Sequence, residues 1–168
     1  MLFGFGVPST SAFSTVSAEP LAVGTSESNV AKVVADAAKT NAALAKRFAG
    51  IASEAATAAV ASAQKAAAIA GMPGASVVQK AAARRAEIAA KASVTAAGIA
   101  TGAASAADAE AKEAAAAALR TLRAKTRPEE VRELNATKRA ERATNTATNR
   151  CVLASERAVK EATKAASA

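Results

Sequence analysis

The stretch AGMPGASVVQ, residues 70–79, decides how the chain is read. Alanine-rich sequence of helical character lies on both sides of it, so the chain must either kink here or turn back. Gly71 sits where a left-handed C-terminal glycine belongs, and Pro73 lacks the N–H that would carry a helix onward. Gly74 follows in the loop. Ser76 and Gln79 then form an S-x-x-Q capping box, in which each side chain satisfies a backbone N–H left over at a helix start. Helix stop, loop and helix start are thus written into residues 71–79, with the break at 71–76. So short a connection favours an antiparallel helical hairpin.

Upstream, the first helix is expected to begin with Ser26 or Ser28 as N-cap and to run to Ala70. Val30, Val34, Leu44, Phe48 and Ile51, continued by Ala37 and Ala55, follow helical spacing and predict one apolar seam. Downstream, a second helix is expected from about Val77 to Lys125. Val77, Ile88 and Ile99 recur every eleven residues, as do Val33 and Leu44, a period close to that of a straight helix. Gly98 and Gly102 make a G-x-x-x-G pair, a candidate for close approach of another helix, although in alanine-rich sequence ordinary small-residue packing explains it as well. The uncharged run Ala92–Ala107 falls short of the roughly 20 apolar residues that a spanning helix needs.

A third segment opens with TRPEEVREL. Thr126 and Glu129 read as another capping box, with Pro128 in the first turn and two glutamates at the positive helix end. The following NATKRAERATNTATNR is polar nearly all round, and only Cys151, Val152 and Leu153 group as larger apolar residues. That texture predicts a solvent-facing or partner-bound helix outside the core. The expected fold is therefore all-α: an extended arm at 1–27, long Ala-rich helices forming a hairpin at 28–125, and a basic C-terminal helix at 126–168.

Composition bounds what such a fold can do. Alanine accounts for 55 of 168 residues, so a core drawn from this chain is thin, since each missing methylene forfeits about 0.8 kcal/mol. Alanine is nevertheless the best intrinsic helix former, and thin-cored helices gain most of their stability by lying against something else. The net charge is +8, concentrated in residues 120–168, which opens non-specific nucleic-acid contact through that third. Interspersed glutamates argue against a purely charge-neutralising tail. Histidine is absent and cysteine occurs once, which removes intrachain disulfides, Cys/His zinc sites and His-assisted nucleophiles. Glu129, Glu130, Glu133 and Glu141 read as helix-end charge and as partners of Arg132, Lys138 and Arg142 rather than as an acid–base pair. Lys80, Arg84 and Lys91 share a face able to meet phosphates. No catalytic residue, cofactor or metal is expected.

Residues 1–27 differ in texture from all that follows. Phe3, Phe5 and Phe13 lie here among Gly, Pro, Ser and Thr, and no Lys or Arg occurs before Lys32. Neither a secretory nor a transit pattern is present. An unstructured terminus is one reading; an extended arm whose aromatics dock on a partner is the other. The gathering of aromatics in an otherwise aromatic-poor chain favours docking.

QKAAAIAGMPGASVVQKAAARRAEIAAK, residues 64–91, resembles the small internal virion proteins of short-tailed podoviruses, the internal virion protein B type. The likeness lies in Ala66–Gly71, then Gly74, Ala75 and Ser76, then the basic run Lys80–Lys91, within roughly residues 40–95. Scarce glutamine and the absence of Trp and Tyr are departures from that family. The resemblance implies a structural protein stored around the portal in the virion interior, ejected with the genome and helping it across the host envelope. Its partners would be portal or core proteins and copies of itself, with membrane contact during delivery. The alternatives are an accessory helical subunit of another large complex and an amphipathic protein of lipid surfaces.

Overall fold

The computed structural model describes residues 27–168. Three helices account for nearly all of them: α1 (Glu27–Ala70), α2 (Val77–Arg123) and α3 (Arg127–Ala166), and among the described residues there is no strand. At 1.5 Å per residue the longest, α2, is about 70 Å long.

The break falls where the sequence places it, with one exchange of roles. Ser76 caps α2 with the full reciprocal box: the Gln79 N–H donates to Ser76 Oγ (3.2 Å) and the Ser76 N–H to Gln79 Oε1 (2.7 Å). Gly71 still continues the α1 ladder, its N–H donating to the Ala67 carbonyl at 3.0 Å. The left-handed residue is Gly74, at φ 88°, so the reversal happens three residues later than the C-cap reading of Gly71 required. At the other end Ser28 lies inside α1 rather than capping it, and Ser26 lies outside the described residues. The α2–α3 joint is tighter than the first. Thr126 caps α3 by accepting from the Glu129 N–H (3.4 Å), but the Glu129 carboxylate accepts from the Lys125 N–H (3.0 Å) instead of from Thr126. The second box is thus displaced by one residue on its return side.

Cross-helix contacts fix the directions. Lys46 meets Asp108 and Arg120 meets Glu133, so α2 runs against both neighbours. Thr148, Cys151 and Ser155 on α3 reach the carbonyls of Asn41, Ala45 and Phe48 on α1 in the same order, so α1 and α3 run together. The result is an up–down–up three-helix bundle in which each helix packs against the other two.

The core departs from the sequence expectation in two ways. First, apart from Leu134 and Cys151, the buried apolar residues among those described are all alanines, such as Ala38 and Ala45 on α1, Ala100 and Ala107 on α2, and Ala158 on α3. The anticipated seam lies beside that line. Val30, Val34, Leu44, Phe48, Ala37 and Ala55 are half-buried and Ile51 is exposed. The eleven-residue series Val77, Ile88 and Ile99 faces outward throughout. Alanine wins the axis because three long helices can approach closely only across small side chains, where packing density replaces side-chain size.

Second, α3 belongs to the core. Leu134, Thr137, Ala140, Thr144, Ala147, Thr148, Cys151, Ala154, Ser155 and Ala158 are buried against α1 and α2, which corrects the expectation that residues 126–168 lie outside it. Its polar residues can be buried because each hydroxyl is satisfied. Thr144 donates to the Ala140 carbonyl of its own helix, while Ser93 on α2 donates to Ala158 on α3 (2.8 Å). Among the described residues no buried side-chain polar atom lacks a partner.

Candidate functional site

α1 and α2 leave a groove between them that α3 does not line, beginning near the interhelical turn. It has a volume of about 800 Å³, with Val60, Ala63, Ala67, Ala83, Ala90 and Val94 as apolar walls and Lys80, Arg84, Glu87 and Lys91 among its polar residues. A shallower extension continues along the same two helices past Ser53, Ala97, Gly98 and Thr101. Ser93 bonds to α3 whereas Lys91, Val94 and Gly98 line the groove, so the crevice opens away from the third helix.

The three basic residues singled out from sequence are brought together here. Their charges differ in availability. Lys91 Nζ is held by Glu87 one turn before it, at 2.7 Å, and that hydrogen bond, with the attraction behind it, lowers the Glu87 carboxyl below its ordinary range. Lys80 and Arg84 make no ion pair among the described residues.

The expected helix-packing glycines are not used for packing within the chain. Gly98 and Gly102 are exposed, and a Cβ on either would meet nothing within 4 Å. Within the chain the G-x-x-x-G pair thus forms a smooth outer face of α2. Phe3, Phe5 and Phe13, the expected docking aromatics, lie outside the described residues.

The ionic contacts tie helices to one another. Asp108 lies between Lys46 of α1 and Lys112 of its own helix, at 2.5 and 2.8 Å. Hydrogen bonds from Lys112 and then Lys46 hold its carboxyl down at about 2. Arg120 bridges Glu113 (2.7 Å) and Glu133 (2.8 Å), joining α2 to α3, and its hydrogen bond to Glu133 lowers that carboxyl. Arg127 joins Glu27 at the start of α1. The expected helical-spacing pairs of Arg132, Lys138 and Arg142 give way to these contacts: Arg132 pairs with its neighbour Glu133, and Glu141 accepts from Asn145.

What reading the sequence missed is the polar seam between α1 and α3. Thr148 Oγ1 donates to the Asn41 carbonyl (3.2 Å), Cys151 Sγ to Ala45 (3.1 Å) and Ser155 Oγ to Phe48 (2.7 Å), and the Asn41 and Asn145 amides meet alongside. Its signal was present as small donors at 148, 151 and 155, one face of a helix. Burial pushes the Cys151 thiol above its ordinary value, the reverse of what a nucleophile needs. Among the described residues no three Cys, Asp or Glu side chains gather as a metal site, and no helix is long and apolar enough to cross a membrane.

No family model, curated protein or solved structure matches the chain.

Proposed function

We propose that the chain is a non-enzymatic helical building block of a larger assembly, joined to its neighbours through the sides of the bundle. One observation carries this reading: apolar side chains are sorted by size in the wrong direction for an isolated bundle. Alanines fill the axis while Val33, Ile51, Ile99, Leu119 and Leu153 stand exposed on all three helices. Burying such a side chain contributes roughly 1.5–3 kcal/mol, and the fold leaves that free energy for contacts outside itself. Single exposed apolar residues are ordinary; their presence on every helix above a nearly all-alanine core is not.

In its narrower form the assembly is the internal core of a short-tailed phage, as the resemblance at residues 64–91 implies, with portal and core proteins or further copies of this chain as neighbours. An accessory subunit of another large complex is the runner-up. The test is sedimentation of the native chain from its source. It should travel with a large particle, and replacing Val33, Ile51, Ile99 and Leu153 by Gln should shift it to the monomer fractions with helix content unchanged. Co-sedimentation of that variant would refute the lateral-contact reading. The phage form requires the chain inside purified virions and its loss from emptied ones.

A further inference from the structure

The end of the bundle that carries the interhelical turn differs from its sides and from the opposite end. Ala165, near the end of α3, packs against Ala59, Ala89 and Ala90. The last two turns of α1 and the first two of α2 therefore project beyond α3 as a two-helix tip. It carries the two most exposed large apolar residues among the described ones, Val77 at 84 % and Val78 at 72 %, with Met72 at 60 % and Ile69 at 46 % beside them. Pro73 and Gly74 between them are exposed as well.

Charge at this end is one-sided. Between Glu54 and Asp108 the sequence holds Lys65, Lys80, Arg84, Arg85 and Lys91 and a single carboxylate, Glu87. Glu87 is engaged by Lys91, which leaves the other cations without an ion pair among the described residues. Along the α2 axis Lys80 lies about 4–5 Å, and Arg84 and Arg85 about 10–12 Å, behind Val77.

The turn is also held in shape. Met72 N–H donates to Ile69 (3.2 Å) and Ala75 N–H to Met72 (3.1 Å), Gly74 takes the left-handed conformation, and the Ser76–Gln79 box fixes the first turn of α2. The apolar residues are thus displayed on a rigid knob rather than on a slack loop.

We propose that this tip docks on the surface of an anionic lipid bilayer, with Met72, Val77 and Val78 entering the headgroup–acyl boundary and Lys80, Arg84, Arg85 and Lys65 meeting lipid phosphates around them. Interfacial elements bury their apolar face about 5–10 Å deep, which brings the cations to headgroup level, and long basic side chains reach outward while their stems stay in apolar surroundings. A nucleic acid would use the cations but leave the apolar knob unsatisfied. An ordinary protein groove would not need so uncompensated a collar. The tip is distinct from the lateral surfaces invoked above, so either reading can fail alone.

The experiment is vesicle flotation of the full chain. It should float with phosphatidylcholine vesicles containing about 30 % phosphatidylglycerol and remain behind with phosphatidylcholine alone, since anionic surfaces attract basic residues. Lys80→Gln/Arg84→Gln/Arg85→Gln should weaken binding roughly a hundredfold, about fivefold per cation. Met72→Ser/Val77→Ser/Val78→Ser should abolish flotation at about 0.5 M salt, where charge attraction alone is screened. Leu119→Ser/Leu122→Ser, at the opposite end, should bind as the native chain does. A fluorophore on Met72→Cys, with buried Cys151 unlabelled, should shift to the blue on anionic vesicles, a readout that survives if the triple serine variant loses helix. The proposal is overturned by absence of flotation, by a probe that does not shift, by an equal loss in the opposite-end variant, or by full competition from duplex DNA with the apolar variant unaffected.

Discussion

Enlarging a core alanine tests the packing directly, because the alternatives differ in sign. Ala45 is fully buried, and its carbonyl accepts from Cys151 Sγ at 3.1 Å, so α3 lies against α1 with only small side chains between them. Ala45→Leu adds three carbons. In a roomy core they would contribute about 2 kcal/mol of stabilisation, at about 0.8 kcal/mol per methylene. In a filled one they force the helices apart and cost about 1–3 kcal/mol, with the thiol and neighbouring hydroxyl contacts weakened too. We expect the second outcome, a fall in Tm of several degrees at about 2–4 °C per kcal/mol for a chain of this size. The companion variant is Ile88→Ala. In an ordinary amphipathic helix it would create a cavity, but Ile88 is 70 % exposed and the change should stay within about 0.5 kcal/mol. Denaturant unfolding followed by circular dichroism at 222 nm reads both. A stabilised Ala45→Leu, or an Ile88→Ala that loses more than about 1 kcal/mol, would refute the inverted arrangement.

Further outcomes follow from the caps, charges and thiol. Ser76→Ala removes an acceptor and one half of the capping box and should cost about 1 kcal/mol in the same assay. Gly74→Ala meets no neighbour but must hold φ at +88°, so it should destabilise by about 1–2 kcal/mol. Asp108 has its folded pKa depressed to about 2; its contribution is therefore present above the unfolded carboxyl pKa and is lost as pH falls through about 2. Asp108→Asn should lower stability modestly at neutral pH, since the pair is largely exposed, and the deficit should close between about pH 4 and pH 2, where the native carboxyl takes up its proton. Cys151, buried and with its thiol pushed up, should react with an aromatic disulfide reagent only as fast as the fold opens, and at full speed in denaturant.

The helices were legible in the sequence because backbone chemistry marks their ends: Gly71 to Gln79 and Thr126 to Glu129 carry stop and start signals that do not depend on tertiary context. The core was not legible because hydrophobic periodicity weights side chains by size. Val30, Val34, Leu44, Phe48 and Ile51 outweighed Ala31, Ala35, Ala38, Ala42 and Ala45, yet the latter line the axis. Polarity misled in the same way on α3. Thr137, Thr144, Thr148 and Ser155 look solvent-facing by type, but short hydroxyls can bond to carbonyls of their own or the adjoining helix and be buried without cost. At the groove, helical spacing put Lys80, Arg84 and Lys91 on one face, and all three line the crevice. It could not tell that Gly98 and Gly102 would face outward, since small residues suit an interface and a bare surface equally well.

A surface of alanines repeats itself every turn, so two such helices laid side by side would fit almost equally well after sliding past each other by one turn, about 5.4 Å. Shape alone gives such a pair no vernier. The side-chain pair Asn41–Asn145 supplies it. Backbone carbonyls recur every turn as the methyls do, so Thr148, Cys151 and Ser155 would meet fresh acceptors after a slip, whereas Asn145 would be carried away from the Asn41 side chain. Polar atoms too few to add much stability thus select one alignment among near-equals, and a chain with Asn41 and Asn145 replaced by alanine should keep its helices while losing its single registration.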